Sequence, residues 1–190
     1  MSNNVDLRDP RESLPDLVRD KLDVIFVGIN PSTFSVAQGH YFARAANRFW
    51  PSFSRSVLSH SARRSLGVSR LEPAHDRQLL DHGFGFTDAV KRPTARASDL
   101  TSAEFEAAMP HLLEKLERLQ PHIACFHGTM AYRRVHRALV AAKSDPILGL
   151  QSLRIGQTQV FVVPNPSPAN AHFTPADQVL WYDRLAACLA

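Results

Sequence analysis

The residues of this chain best suited to chemistry are two asparagines and an aspartate, each placed just after an apolar run. Asn30 follows Val24-Ile25-Phe26-Val27 in the segment Gly28-Ile29-Asn30-Pro31-Ser32. Asn165 follows Val160-Phe161-Val162-Val163 in the segment Pro164-Asn165-Pro166-Ser167-Pro168. Consecutive β-formers of this kind read as a buried strand. The Gly and Pro that follow force a sharp exit from it. In an open α/β sheet the ligand crevice lies beyond the carboxyl ends of the strands. Two amides, each able to donate and accept, are therefore predicted at one rim. Asp88 closes a shorter strand candidate, Phe84 to Thr87. A carboxylate there could act as a general base or stabilise a cation. It could equally cap a helix or pair with Lys91 or Arg92, the commoner use of such a residue. Either asparagine could equally serve only an Asx-turn with the proline after it.

The elements that must position these groups alternate along the chain. A strand is predicted near 23–28, then a loop through 29–43 and a helix around 46–58. The stretch from His60 to Pro73 is polar and basic and reads as a loop. A short helix around 75–82 stops at Gly83, a natural C-cap. Thr101-x-x-Glu104 is a capping box, opening a helix that runs to about Gln120 with Phe105, Ala108, Leu112, Leu116 and Leu119 on one face. Pro121 stops it. A third strand over 122–127 is followed by a helix from Gly128-Thr129 to about Ala142. Segments 153–155 and 160–163 flank a turn at Gly156-Gln157-Thr158. Thr174-Pro175 opens a final helix. The order predicts an α/β protein: a three-layer α/β/α sandwich with a central mostly parallel sheet. Residues 1–20, with five acids and three arginines and little apolar periodicity, read as an N-terminal arm, and 21–190 as one domain.

Composition narrows the chemistry. No apolar run is long enough to span a bilayer and no signal pattern opens the chain, so no membrane partner and a cytoplasmic location are expected. Two cysteines, Cys125 and Cys188, are too few for a Cys-ligated iron–sulfur cluster, which needs about four thiolates. None of the nine histidines pairs at a zinc-ligand spacing, so no metal and no other cofactor is expected. There is no Gly-x-Ser-x-Gly elbow and no Gly-rich phosphate loop. The net charge is only +4, but its distribution is uneven. Between Asp23 and Glu72 there is no acid, while Arg44, Arg48, Arg55, Arg63, Arg64 and Arg70 all fall there. A second acid-free tract runs from Asp145 to Asp177. Each tract holds one asparagine motif, which suits a polyanionic partner such as DNA.

Taken in order, Gly28-Ile29-Asn30-Pro31, Gly39-His40-Tyr41-Phe42-Ala43, Asn47-Arg48-Phe49-Trp50, Gly85-Phe86-Thr87-Asp88-Ala89-Val90, Arg92-Pro93-Thr94 and Asn165-Pro166-Ser167 resemble the mismatch-specific uracil/thymine DNA glycosylases, a branch of the uracil-DNA glycosylase superfamily. The similarity covers most of residues 22–189. It implies hydrolysis of the N-glycosidic bond of uracil, or of related damaged pyrimidines, in single- or double-stranded DNA by a monomer. It assigns water positioning to Asn30 with help from Thr87, and stacking of the flipped base to Phe42. It places backbone groups near Ile29 and Phe42 and the amide of Asn165 on the base edge, with Ser35 near the C5 position. Such a reaction passes through an oxocarbenium-like sugar, so its water needs orientation more than deprotonation. Arg44, Asn47, Ser167, Ala169, Asn170 and His172 are the expected DNA contacts, whereas Arg48 could do no more than snorkel.

Two alternatives from other classes remain: a catalytically silent damaged-DNA-binding module, and a small-molecule nucleoside hydrolase. The chain also departs from its family after Asn165-Pro166-Ser167. Mismatch-specific members typically continue Gly-Leu or end the segment in Arg, a side chain that fills the vacated base stack. Here Pro168-Ala169-Asn170-Ala171-His172 follows. Ala169 is too small for that task, so weak discrimination by the opposing base is expected.

Overall fold

The computed structural model describes residues 13–140 and 147–189. The first part of the expected arm and the expected helix end near Ala142 lie outside them. Five strands form one sheet in the order β2-β1-β3-β5-β4. They are β1 (Val24–Gly28), β2 (Phe84–Asp88), β3 (Ile123–His127), β4 (Gly149–Ile155) and β5 (Thr158–Val163). The first four in spatial order run parallel, and β4 returns antiparallel at the edge. The mostly parallel sheet is as expected. Its central strands are fully buried, because helices cover both faces.

Period-two alternation sends Val24 and Phe26 to one face and Ile25 and Val27 to the other. The first face packs on α2 (Phe49–Arg55), α3 (His60–Leu66) and α6 (Pro175–Ala187). Its centre is aromatic: Phe26 meets Phe49, Phe53 and Phe86 with ring centroids 5.2–5.5 Å apart. The second face packs on α4 (Ser102–Leu119) and α5 (Thr129–Leu139). The remaining helix, α1 (Thr33–Gln38), sits in the loop after β1 with Ser32 as its N-cap.

The structure departs from the sequence reading in three places. The polar stretch after His60 contains α3, whose sole buried side chain is Ala62, so it carries no apolar stripe to read. Strand β4 begins at Gly149 rather than 153, because an edge strand with a half-exposed pattern lacks a continuous apolar run. The expected helix over 75–82 is two short 3-10 turns, Pro73–His75 and Gln78–His82, the second ended by Gly83 at φ 83°.

The carboxyl ends of β1, β2, β3 and β5 share one rim, where the chain exits at Gly28, Asp88, His127 and Val163. Residues 13–17 lie beside β2, antiparallel to it at Leu17. Leu17 exchanges two backbone hydrogen bonds with Phe86, at 2.9 and 2.7 Å, and Leu14 and Leu17 are buried in the core.

Candidate active site

A cavity of about 570 Å³ opens at this rim. Its walls are the exits of β1, β2 and β3, the loop around Phe42, the 94–98 loop and the 165–170 loop. Arg44 and Arg96 stand among its lining residues, and Asp88 is the acid among them.

Asn30 is held by its amide nitrogen. Nδ2 donates to the carbonyls of Arg92 at 2.9 Å and Pro31 at 3.3 Å, and to Oγ1 of Thr94 at 2.7 Å. The Thr94 hydroxyl spends its own proton on the Arg96 carbonyl, 2.7 Å away, so toward Asn30 it can only accept. Three acceptors identify the amino end of the amide and leave Oδ1 as the end available to the cavity. The Asx-turn alternative, in which Oδ1 would accept from the Ser32 N–H, is not among these bonds.

Asp88 is buried at the end of β2, beside the end of β1. It pairs with neither Lys91 nor Arg92: Lys91 binds Asp16, and Arg92 pairs with Glu104. Oδ2 of Asp88 has no hydrogen-bond partner among the described residues. Burial pushes its carboxyl up to about 7, against a lowering influence from Lys91. A carboxyl titrating there can take a proton near neutrality.

Phe42 has a left-handed backbone, φ 52°. Away from glycine such a conformation costs of order 1–3 kcal/mol and persists only where the surroundings enforce it. Here one face of the ring stacks on Phe49, with centroids 4.5 Å apart and planes 19° from parallel, and the edge meets His127 at 5.1 Å. The loop is pinned on both sides of the ring. Tyr41 N–H donates to Asp76 at 3.0 Å, Trp50 Nε1 donates to the Tyr41 carbonyl at 2.9 Å, and Ala43 N–H reaches the Ser35 hydroxyl at 3.3 Å. Ser35 is thus a brace for the Phe42 loop as well as part of the cavity wall.

Asn165 uses Oδ1 to accept from the Ser167 N–H at 2.9 Å, which leaves its amino group as the end turned to other partners. Asn170 ties the loop closed by donating to the Asn165 carbonyl at 3.0 Å. Arg48, rather than snorkelling, clamps this loop. Its backbone N–H donates to the Pro166 carbonyl at 2.9 Å and its guanidinium to the carbonyls of Phe173 and Pro168.

The family model of the uracil DNA glycosylase superfamily matches residues 15–186. The chain belongs to that superfamily. The fold is also that of a protein from Methanosarcina acetivorans described as a "putative Uracil DNA glycosylase", at 18% identity and a TM-score of 0.55, covering 93% of this chain and 98% of that one. Membership brings with it DNA glycosylase chemistry, hydrolysis of the bond between a base and its sugar, and a DNA partner. No helix among the described residues is long and apolar enough to cross a membrane.

Within this superfamily member the cavity gathers Ile29, Asn30, Ser35, Phe42, Arg44, Asn47, Asp88, Asn165, Ser167, Ala169 and Asn170. Two expected residues stand apart. Thr87 does not line it: adjacent strand residues face opposite sides, and Thr87 faces α4, where its hydroxyl donates to Asp16 at 2.8 Å and accepts from Lys115 at 3.2 Å. The Thr87 hydroxyl expected to help Asn30 hold a water is therefore engaged away from the residues that line this cavity. His172 is exposed and off the cavity, because the clamped loop turns back at Asn170 before reaching it.

Three contributors went unread in the sequence. Thr94 lies in the Arg92-Pro93-Thr94 segment but gave no sign that it would anchor Asn30. Leu14 comes from the supposed arm. His127 ends β3 at the rim, the same position rule that singled out Asn30, and accordingly lines the cavity. Its Nε2 lies 3.0 Å from the Tyr182 hydroxyl, and burial pulls it down to about 3, so it is neutral at physiological pH.

Proposed function

We propose that this protein is a monofunctional uracil-DNA glycosylase of the mismatch-specific type, which removes uracil and related damaged pyrimidines from DNA, leaves an abasic site and so initiates base excision repair. In this reading it works as a cytoplasmic monomer without a cofactor. The observation that supports it is the Asn30 amide, whose nitrogen is tied to three acceptors and whose oxygen is left for a water, in a cavity that the buried carboxyl of Asp88, with one oxygen unpaired, also lines.

The chemistry follows from that pair. The nucleotide is swung out of the stack and its base slides onto the free face of Phe42. Asn165 Nδ2 donates to a base carbonyl. The bond between C1′ and the base nitrogen breaks with its electron pair going to the base. The cationic sugar is stabilised electrostatically by the Asp88 carboxylate. Asn30 Oδ1 aligns a water on C1′, an oxygen–carbon bond forms, and the water's proton passes to Asp88. Phosphates are held by the basic rim, including Arg44 and Arg96.

Incubating the purified protein with uracil-containing oligomers in the presence of a chelator, followed by alkali, tests this reading. Strand cleavage at the uracil position is the expected result. Intact oligomers at high enzyme concentration would reject it, and tight binding without cleavage would favour the silent damage-binding module.

A further inference from the structure

The carboxyl of Asp88 is unpaired although two ammonium groups lie within its electrostatic reach. Lys91 and Lys115 line, together with Asp88, a second cavity of about 390 Å³ on the α4 side of the same strand end. Both lysines are instead engaged by Asp16. Lys91 Nζ sits 2.8 Å from Asp16 Oδ1 and Lys115 Nζ 2.5 Å from Oδ2, while the Thr87 hydroxyl donates to Oδ1 at 2.8 Å. Burial pushes the Asp16 carboxyl up, but the two ammoniums outweigh it and hold it below the usual carboxylate range, so it stays charged.

We propose that Asp16 is a positioning residue of the active site: its carboxylate engages both ammoniums, so that neither pairs with Asp88 and that carboxyl stays available to the cavity. The inference rests on the reading of Asp88 as the proton acceptor. It gives the 13–17 segment a definite task. The segment is fixed for it by the Leu17–Phe86 bridge, by the Ser13 hydroxyl on the Lys91 carbonyl at 2.5 Å, and by the Tyr41 hydroxyl on the Pro15 carbonyl at 3.1 Å.

The other groups around Asp88 do not substitute for Asp16. Tyr41 is kept neutral, its hydroxyl pushed far above its ordinary range by burial and then by Asp88 itself. Arg92 and Glu104, on the second cavity, satisfy each other, and His111 lines the same cavity. Across the first cavity, Arg44 and Arg96 belong to its DNA-facing walls and His127 is neutral. Removing the Asp16 charge therefore acts twice in one direction. It deletes a repelling anion and frees two cations to approach Asp88, and both effects favour the ionised carboxylate.

The test is a titration of the aspartate carboxyl carbons by NMR in the full chain labelled at aspartate, with the Asp88 signal assigned by its loss in Asp88→Asn. In Asp16→Asn, which keeps the shape and an acceptor for Thr87, the Asp88 midpoint is expected to move acidward by about one unit, a tenfold change in its proton affinity. In Lys91→Met it is expected to move alkaline-ward. These opposite displacements would support the proposal. An unmoved midpoint in Asp16→Asn, or a shift of both variants in one direction, overturns it whatever the excision activity. The excision rate against pH, measured in parallel, separates the two ideas. If the midpoints move as expected but the rising limb of the rate does not follow, the positioning role of Asp16 stands and the role of Asp88 as base falls.

Discussion

A Cβ built on Gly28 would stand 2.4 Å from Oδ1 of Asp88, its register partner on β2. The glycine of Gly28-Ile29-Asn30-Pro31 thus makes room for the carboxyl, and the two strand-end motifs are a single fitted unit. Gly28→Ala has to displace that carboxyl, since β1 itself is fixed by ladders on both sides. A displacement near 1 Å in such a site costs about a hundredfold. The single-turnover excision rate of Gly28→Ala is expected to fall by about that factor with DNA affinity little changed. A rate within a few-fold of wild type would show that Asp88 works without this fit.

The anchorage of Asn30 sets a graded expectation. Asn30→Ala is expected to slow single-turnover excision by about two to four decades. Thr94→Val, which keeps the shape but removes one of three acceptors, is expected to slow it by about one decade. Binding should hold in both, because phosphate contacts dominate affinity. If Asp88→Asn proves far more damaging than Asn30→Ala, the carboxyl rather than the amide carries the chemical step.

Keeping Asp88 buried costs stability once its carboxyl ionises. Burial raises the folded carboxyl to about 7 from an ordinary value of 3.8. Between those values the folded state binds the proton that the unfolded state has lost, so stability falls as pH rises through this window. Full loss amounts to at most about 4 kcal/mol. Asp88→Asn is expected to be more stable than wild type in urea unfolding at pH 8, with a much smaller difference at pH 4. Equal stabilisation at both pH values would mean that the ionised carboxyl is not the source.

Substrate discrimination is expected to follow from the 165–170 loop. It is held by Arg48 and Asn170, yet it offers Pro168 and Ala169 where a large side chain would fill the emptied stack. Proline also lacks an N–H with which to read the partner strand. Uracil should be accepted opposite guanine, opposite adenine and in single strands, with single-stranded and mispaired sites fastest, since opening a sound pair costs a few kcal/mol. Single-turnover rates on the three substrates check this. A preference for the guanine mispair above about a hundredfold, roughly 2.7 kcal/mol, would assign partner reading to this loop after all.

Arg48 has its own expectation. Arg48→Ala frees the carbonyls of Phe173 and Pro168 and loosens the mount of Asn165. Excision should drop by about one decade, and limited proteolysis should cut near 168–173 sooner than in wild type. Unchanged cleavage there would mean that the loop holds itself.

The positions of Asn30 and Asn165 at one rim were legible in the sequence because they depend on local rules. An uninterrupted β-branched and aromatic run makes a buried strand, a Gly or Pro ends it, and a parallel sheet brings such ends together. The capping box at Thr101 and the helix start at Thr174-Pro175 were legible for the same reason, since the signals lie within a few residues of each other. What the tertiary structure alone decided involves residues far apart in the chain. Alternation required Thr87 and Asp88 to face opposite sides, but which side held the cavity depended on the packing of α2, α6 and the Phe42 loop. Lys91 found its partner 75 residues away in Asp16, and Asn30 found Thr94 across 64 residues. Side-chain pairing across such separations is set by how the layers stack, and no local pattern records it.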